Sequence, residues 1–113
     1  MENEPMHFKV YDKNIMISPV LFELITMTSQ ADFQNDYGGM LFHLDSDSKK
    51  KIADKCGLSF SRMNHIITEL SSREIIRKIK KGLYQFNPYI IGIGEWKDIY
   101  VLRLKWQKYK EVF

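Results

Sequence analysis

Apolar residues recur at helical spacing in four stretches of the chain and alternate, or cluster briefly, in several others. Ser18-Pro19 pairs a capping residue with a proline at the first helical position, and Val20, Leu21, Leu24 and Ile25 follow on one face. This predicts a first helix running to about Gln30. A second is expected from about Ser48 to Cys56, with Ile52, Ala53 and Cys56 inward. Several side chains of Asp45-Ser46-Asp47-Ser48 compete to cap it, and Gly57 supplies the left-handed exit. Ser59 caps a third helix running to about Ser71, whose apolar face is Met63, Ile66, Ile67 and Leu70. From Glu95 to the C-terminus, Ile99, Leu102, Trp106, Tyr109 and Phe113 alternate spacings of three and four, the mark of an amphipathic helix with a narrow apolar stripe.

The remaining apolar runs read as strands. His7 to Tyr11 and Ile15 to Ile17 flank Asp12-Lys13-Asn14, which predicts a short strand or hairpin near the N-terminus. Ala31 to Gly39 is polar, ends in Gly-Gly and reads as a loop, after which Met40 to Leu44 is a short strand. Ile75 to Ile79 and Leu83 to Phe86 enclose Lys80-Lys81-Gly82 and form a β-hairpin that Asn87-Pro88 closes. Two helices joined by a few residues, with small Ala53 at their crossing and Gly57 at the turn, have helix-turn-helix spacing. A basic-tipped hairpin directly after them is the winged-helix arrangement. The expected fold is therefore α+β, a winged helix-turn-helix with a C-terminal amphipathic helix. Residues 1–113 form one domain: an N-terminal strand or arm over 1–17, the winged-helix core over 18–88 and the C-terminal helix over 95–113.

Composition narrows the class. At 113 residues and 44% hydrophobic content the chain fits one domain that needs neither metal nor disulfide to hold its core. One cysteine, Cys56, excludes an intramolecular disulfide and fits a reducing cytoplasm, and its simplest role is a small packing residue. The acidic start Met-Glu-Asn-Glu-Pro lacks the features of a signal peptide, and no apolar run approaches membrane-spanning length. A cytoplasmic protein without a membrane partner is expected.

The net charge of +3 is small, but it is unevenly placed. Asp47 to Lys81 holds ten basic and four acidic residues, a charge of +6, and the rest of the chain sums to −3. Nucleic-acid chemistry should be sought in that stretch. On the third helix Ser61, Asn64, His65 and Thr68 are related as i, i+3, i+4 and i+7 and form one polar stripe, with Arg62 beside it. Such side chains suit a major groove: asparagine pairs with adenine, arginine with guanine, and hydroxyls with several base edges. Any solvated helix face carries a similar stripe, so the helix pair, turn and hairpin around it decide for the groove. Lys49 and Lys50, which open the second helix with Lys51, and Arg77, Lys78, Lys80 and Lys81 on the hairpin would hold phosphates, as would Ser59. Lysines at a hairpin tip also keep sheet edges apart, which is the plainer reading of the same residues.

Catalytic chemistry is not expected. The sequence contains no Walker loop, dinucleotide fingerprint, HExxH or His-x-His pair. His7, His43, His65 and Cys56 lack metal-ligand spacing, so neither metal nor cofactor is expected. Tyr84 and Phe86 should pack on the core. The stripe of Ile99, Leu102, Trp106 and Tyr109 either packs the last helix on its own domain or forms a homodimer interface, with Trp96 and Trp106 as anchors.

The run Lys50-Lys51-Ile52-Ala53 to Leu70, then Ile79 to Tyr89 and Gly94 to Ile99, resembles the RepL family of plasmid replication proteins from Gram-positive bacteria. The discriminating features are Gly82, Tyr84, Asn87 and Pro88 in a Gly-x-Tyr-x-x-Asn-Pro element, and Gly94 and Trp96 in the Gly-x-Trp that follows. The resemblance covers about the last two-thirds of the chain, and Phe8 to Tyr11 are compatible with it. It implies double-stranded DNA binding at a replication origin and contact with host replication proteins. A winged-helix transcriptional repressor or copy-number regulator would share every DNA contact, and a protein-interaction module using the hairpin or last helix is the reading from another class.

Overall fold

In a computed structural model the described residues, 7–112 with side chains to Lys108, form four helices and two small antiparallel sheets in a mixed α+β arrangement. Helix α1 (Pro19–Thr26) starts where the Ser18 hydroxyl oxygen accepts the Leu21 N–H and Pro19 takes the first position. Its buried residues are the expected Val20, Leu21, Leu24 and Ile25. It ends earlier than the predicted Gln30 because the following backbone is engaged elsewhere. The Ser29 N–H donates to the Leu41 carbonyl and the Ala31 N–H to the Ile93 carbonyl.

Strand β1 (Phe8–Val10) does not form a hairpin with Ile15 to Ile17. Those residues make no strand, and Met16 is 87% exposed. Its partner is β5 (Ile91–Ile93), with Phe8 opposite Ile93 and Val10 opposite Ile91. The local apolar pattern points to a neighbour in sequence, whereas the partners Ile91 and Ile93, fully buried, lie 81 and 85 positions further along the chain.

The larger sheet combines β2 (Leu41–His43), β3 (Ile76–Lys80) and β4 (Leu83–Phe86) in the order β2-β4-β3. Register aligns Phe42, Tyr84 and Lys78 across the three strands, and Leu41, Gln85 and Arg77 across the adjacent rung. Side chains alternate between faces, so these two rungs point to opposite sides of the sheet. Phe42 stacks on Tyr84 at 5.6 Å and meets Phe86 at 5.2 Å on the first side. That side joins the core with α1, α2 (Ser46–Lys55) and α3 (Phe60–Ser72), through residues such as Leu24, Ile52, Met63 and Ile67.

The other side of the sheet is built on a buried polar residue. Gln85, fully buried in the central strand, donates from Nε2 to the Tyr37 and Gly39 carbonyls at 2.7 and 2.8 Å. Its Oε1 accepts from Arg77 Nε and Nη2 at 3.2 and 2.9 Å. The Arg77 guanidinium lies 3.8 Å from the ring centre of Trp106 on α4 (Trp96–Val112). The loop before β2 is thereby tied to the sheet and the sheet to the last helix. Gly39, at φ +81, lets that loop close: a β-carbon there would stand 2.3 Å from the Gln30 carbonyl.

Candidate nucleic-acid interface

Helix α2 resolves the competition among its capping residues in favour of Asp45, whose side chain accepts the Ser48 N–H at 2.8 Å. The Ser48 backbone and side-chain hydrogen bonds hold the Asp45 carboxyl below its ordinary value. This fixes the start of the helix, in which Lys49 is half-buried and Lys50 and Lys51 are exposed. Lys55, at the other end, donates to Glu23 Oε1 at 3.2 Å and clamps α2 to α1.

Four residues, Cys56 to Ser59, join α2 to α3. The Leu58 N–H bonds to the Ala53 carbonyl and the Gly57 N–H to the Asp54 carbonyl, with Gly57 at φ +71. Together these close a Schellman turn. Cys56 is half-buried at its C-cap. The Ser59 oxygen then accepts the Arg62 N–H at 3.0 Å, starting α3 where the sequence placed it. Met63, Ile67 and Leu70 are buried and Ile66 is half-buried, so the opposite face of the helix is turned outward.

On that face Ser61, Arg62, His65 and Thr68 are exposed and Asn64 is half-buried. The polar stripe is therefore one accessible surface. Thr68 donates its hydroxyl to the Asn64 carbonyl at 3.0 Å, which leaves its oxygen as an acceptor. Ser59 uses its oxygen in the cap and keeps its hydroxyl hydrogen to donate. Phe60, between that cap and the stripe, is 43% exposed and has no counterpart in the sequence reading.

Helix α3 leads straight into the hairpin. The Ile75 N–H bonds to the Leu70 carbonyl, and the Asn87 N–H to the Ile75 carbonyl. Asn87, nearly buried, also donates from Nδ2 to the Glu74 carbonyl at 2.8 Å, and its Oδ1 accepts the Tyr89 N–H. The Asn-Pro element thus locks the end of the hairpin to the exit of α3. Lys78, Lys80 and Lys81 are exposed. Lys78 shares its rung with Tyr84 and Phe42, placing it on the side of the sheet that α3 covers.

Two sets of candidate site residues are engaged within the chain. Arg77, expected on phosphates, is half-buried on the opposite side of the sheet, held by Gln85 and Trp106. Its odd position in the strand turns it away from Lys78. Ile99, Leu102 and Trp106, for which packing on their own domain and a dimer interface were both open, are 2%, 0% and 4% exposed within the chain itself. The two sheets already cover this stripe; the side chain of Tyr109 lies outside the described residues. Trp96 is 55% exposed, its ring 6.3 Å from Tyr11 and 6.4 Å from Tyr100.

The cations of the candidate surface differ from those elsewhere in what they hold. None of Lys49, Lys50, Arg62, Lys78, Lys80 and Lys81 forms an ion pair with a described residue. Arg103, by contrast, donates from Nε to the Pro88 carbonyl and lies 4.6 to 4.9 Å from the ring centres of Tyr11, Tyr89 and Trp96. Lys105 donates to the Asn35 carbonyl at 2.8 Å. No helix among the described residues is long and apolar enough to cross a membrane.

Comparison with known protein families, with curated proteins and with solved structures finds no match to this chain. The roles of Gln85 and Arg103 have no counterpart in the sequence reading, which places Asn87 at the end of the hairpin without its bond to the Glu74 carbonyl. A regular two-residue hairpin around Lys81-Gly82 pairs Lys80 with Leu83 and so sets Arg77 opposite Phe86; the irregularity between Lys78 and Lys80 shifts the register by one and brings Arg77 opposite Gln85, which no local pattern announces. Arg103 likewise carries no local signal, because its aromatic partners lie at both ends of the chain.

Proposed function

We propose that this chain is a winged-helix protein that binds double-stranded DNA sequence-specifically, with α3 in the major groove and the β3-β4 hairpin as the wing. The observation that carries the reading is the exposed face of α3, bearing Ser61, Arg62, Asn64, His65 and Thr68, set between unpaired lysines of α2 and of the hairpin. The element order α1-β2-α2-α3-β3-β4, with β4 central in its sheet, supports it. So does the place of Ser61, Arg62, Asn64 and His65 in the first half of α3, the end whose residues meet base edges when such a helix docks. Lys49, Lys50, Lys78, Lys80 and Lys81 would supply phosphate contacts, which set affinity and orientation.

The biological setting we propose is a replication origin of a plasmid or other mobile element, where the bound protein meets host replication proteins. This part rests on the RepL-like residues Gly82, Tyr84, Asn87, Pro88, Gly94 and Trp96. Replication of a plasmid carrying the cognate origin should then require this protein in trans; altered promoter output without that requirement would mark a repressor or copy-number regulator instead.

Selection from random duplex DNA followed by titration at several salt concentrations tests the binding itself. Affinity should fall linearly in log–log form as salt rises. Arg62→Ala or Asn64→Ala should cost about 1 to 3 kcal/mol and relax preference at one base pair. Lys81→Ala should weaken all duplexes alike and lower the salt slope by about 1. Unchanged affinity and preference in both α3 variants would remove that helix from base reading.

A further inference from the structure

Phe60 is the first residue of α3 and stands 43% exposed, flanked by exposed Ser59, Ser61 and Arg62. Single exposed apolar side chains are common on protein surfaces, so exposure alone says little. Its position says more. Phe60 stands one turn N-terminal to Asn64, at the border between the outward face of α3 and the buried row of Met63 and Ile67, and its exposure leaves the ring open beside the polar stripe. The N-terminal end of a reading helix is the one that reaches base edges. The ring also belongs to no part of the apolar core, which α3 enters through Met63, Ile67 and Leu70.

Among the four base pairs only those with thymine present an apolar group in the major groove, the C5-methyl, and phenylalanine is one of the side chains that contacts it. Asparagine one turn further along the helix can take the N6 and N7 edge of adenine. Resting on the DNA-binding reading above, we propose that Phe60 is a specificity-determining residue that packs on a thymine methyl group, within one or two base pairs of the base that Asn64 reads. The preferred duplex then holds a fixed thymine whose recognition is apolar. Selectivity at that position comes from burying a methyl group against the ring, with no hydrogen bond involved.

Replacing thymine by deoxyuridine removes that methyl and leaves base pairing intact, which isolates the contact. The probe is the duplex enriched by the wild-type protein from a random pool, with each thymine replaced singly by deoxyuridine. One replacement should weaken wild-type binding about fourfold, the change expected for one buried methyl group. Phe60→Ala should abolish that difference, Phe60→Leu should keep part of it, and Asn64→Ala should keep it while losing preference at a neighbouring position. Because Phe60 is outside the core, all three proteins should unfold with similar midpoints, and that measurement shows that they compare like with like. If every deoxyuridine duplex binds as the parent does, or the penalty survives Phe60→Ala, the assignment of Phe60 is overturned while DNA binding stands. If no sequence is enriched and no salt-dependent duplex binding is seen, the DNA-binding reading falls and this assignment with it.

Discussion

Glu74 and Gly57 occupy the same position in two equivalent turns. Each follows the C-cap of a helix, each has positive φ (+58 and +71), and in each the next N–H reaches back to a carbonyl five residues earlier. Glycine adopts that conformation freely, whereas a residue with a β-carbon is strained by about 1 kcal/mol or more. The backbone terms of substitution should therefore have opposite signs. Glu74→Gly should relieve about 0.5 to 1 kcal/mol of backbone strain relative to Glu74→Ala, which removes the same side-chain interactions and leaves the backbone bonds of the turn unchanged. Gly57→Ala should destabilise it by about 1 kcal/mol through the backbone alone, because nothing lies within 4 Å of the added β-carbon. Urea unfolding of the three variants measures both. This scale also shows what single residues make legible: Ser18, Gly57 and Ser59 announce their turns by residue type. Glu74 hides the same turn behind a type that does not favour it.

At the scale of elements, helices α1 to α3 and strands β2 to β4 follow from local apolar periodicity, because their inward faces are contiguous in sequence. The pairing of β1 with β5 does not, since neither three-residue strand identifies a distant partner. Nor does the second face of the larger sheet, whose organiser is a fully buried glutamine. Gln85 serves two carbonyls and a guanidinium at once, so removing it strands all three groups. Gln85→Leu, although close in size and more apolar, should cost about 3 kcal/mol in unfolding free energy. Gln85→Glu should fail to restore it: the carboxylate keeps a bond to Arg77 but sets an oxygen against the Tyr37 and Gly39 carbonyls. If Gln85→Leu were as stable as the parent, the network would contribute geometry without stability. The loop before β2 would then be held by Gly39, its backbone bonds and Lys105 on the Asn35 carbonyl.

Over the whole molecule the basic residues divide into two groups with different work. Arg77, Arg103 and Lys105 face inward, onto Gln85 and Trp106, onto three aromatic rings and the Pro88 carbonyl, and onto the Asn35 carbonyl. They fasten α4 to both sheets and to the loop. Apart from Lys55, which bonds to Glu23 and ties α2 to α1, the exposed cations of α2, α3 and the hairpin make no such attachments among the described residues, so the +6 segment keeps most of its charge outward. Arg77, within that segment, belongs to the inward group. The consequence for assembly is testable. Trp106 carries both the apolar packing of α4 and the stacking of Arg77, and all of it lies within one chain. Trp106→Ala should therefore cost about 3 to 5 kcal/mol, the range for emptying a buried aromatic site. That loss should be the same at micromolar and at hundred-micromolar protein, because a contact inside one chain has no dependence on concentration. A deficit that shrinks as the protein is concentrated would mean that Trp106 is shared between chains. Sedimentation of the parent at both concentrations would then have to show a dimer that Trp106→Ala dissociates.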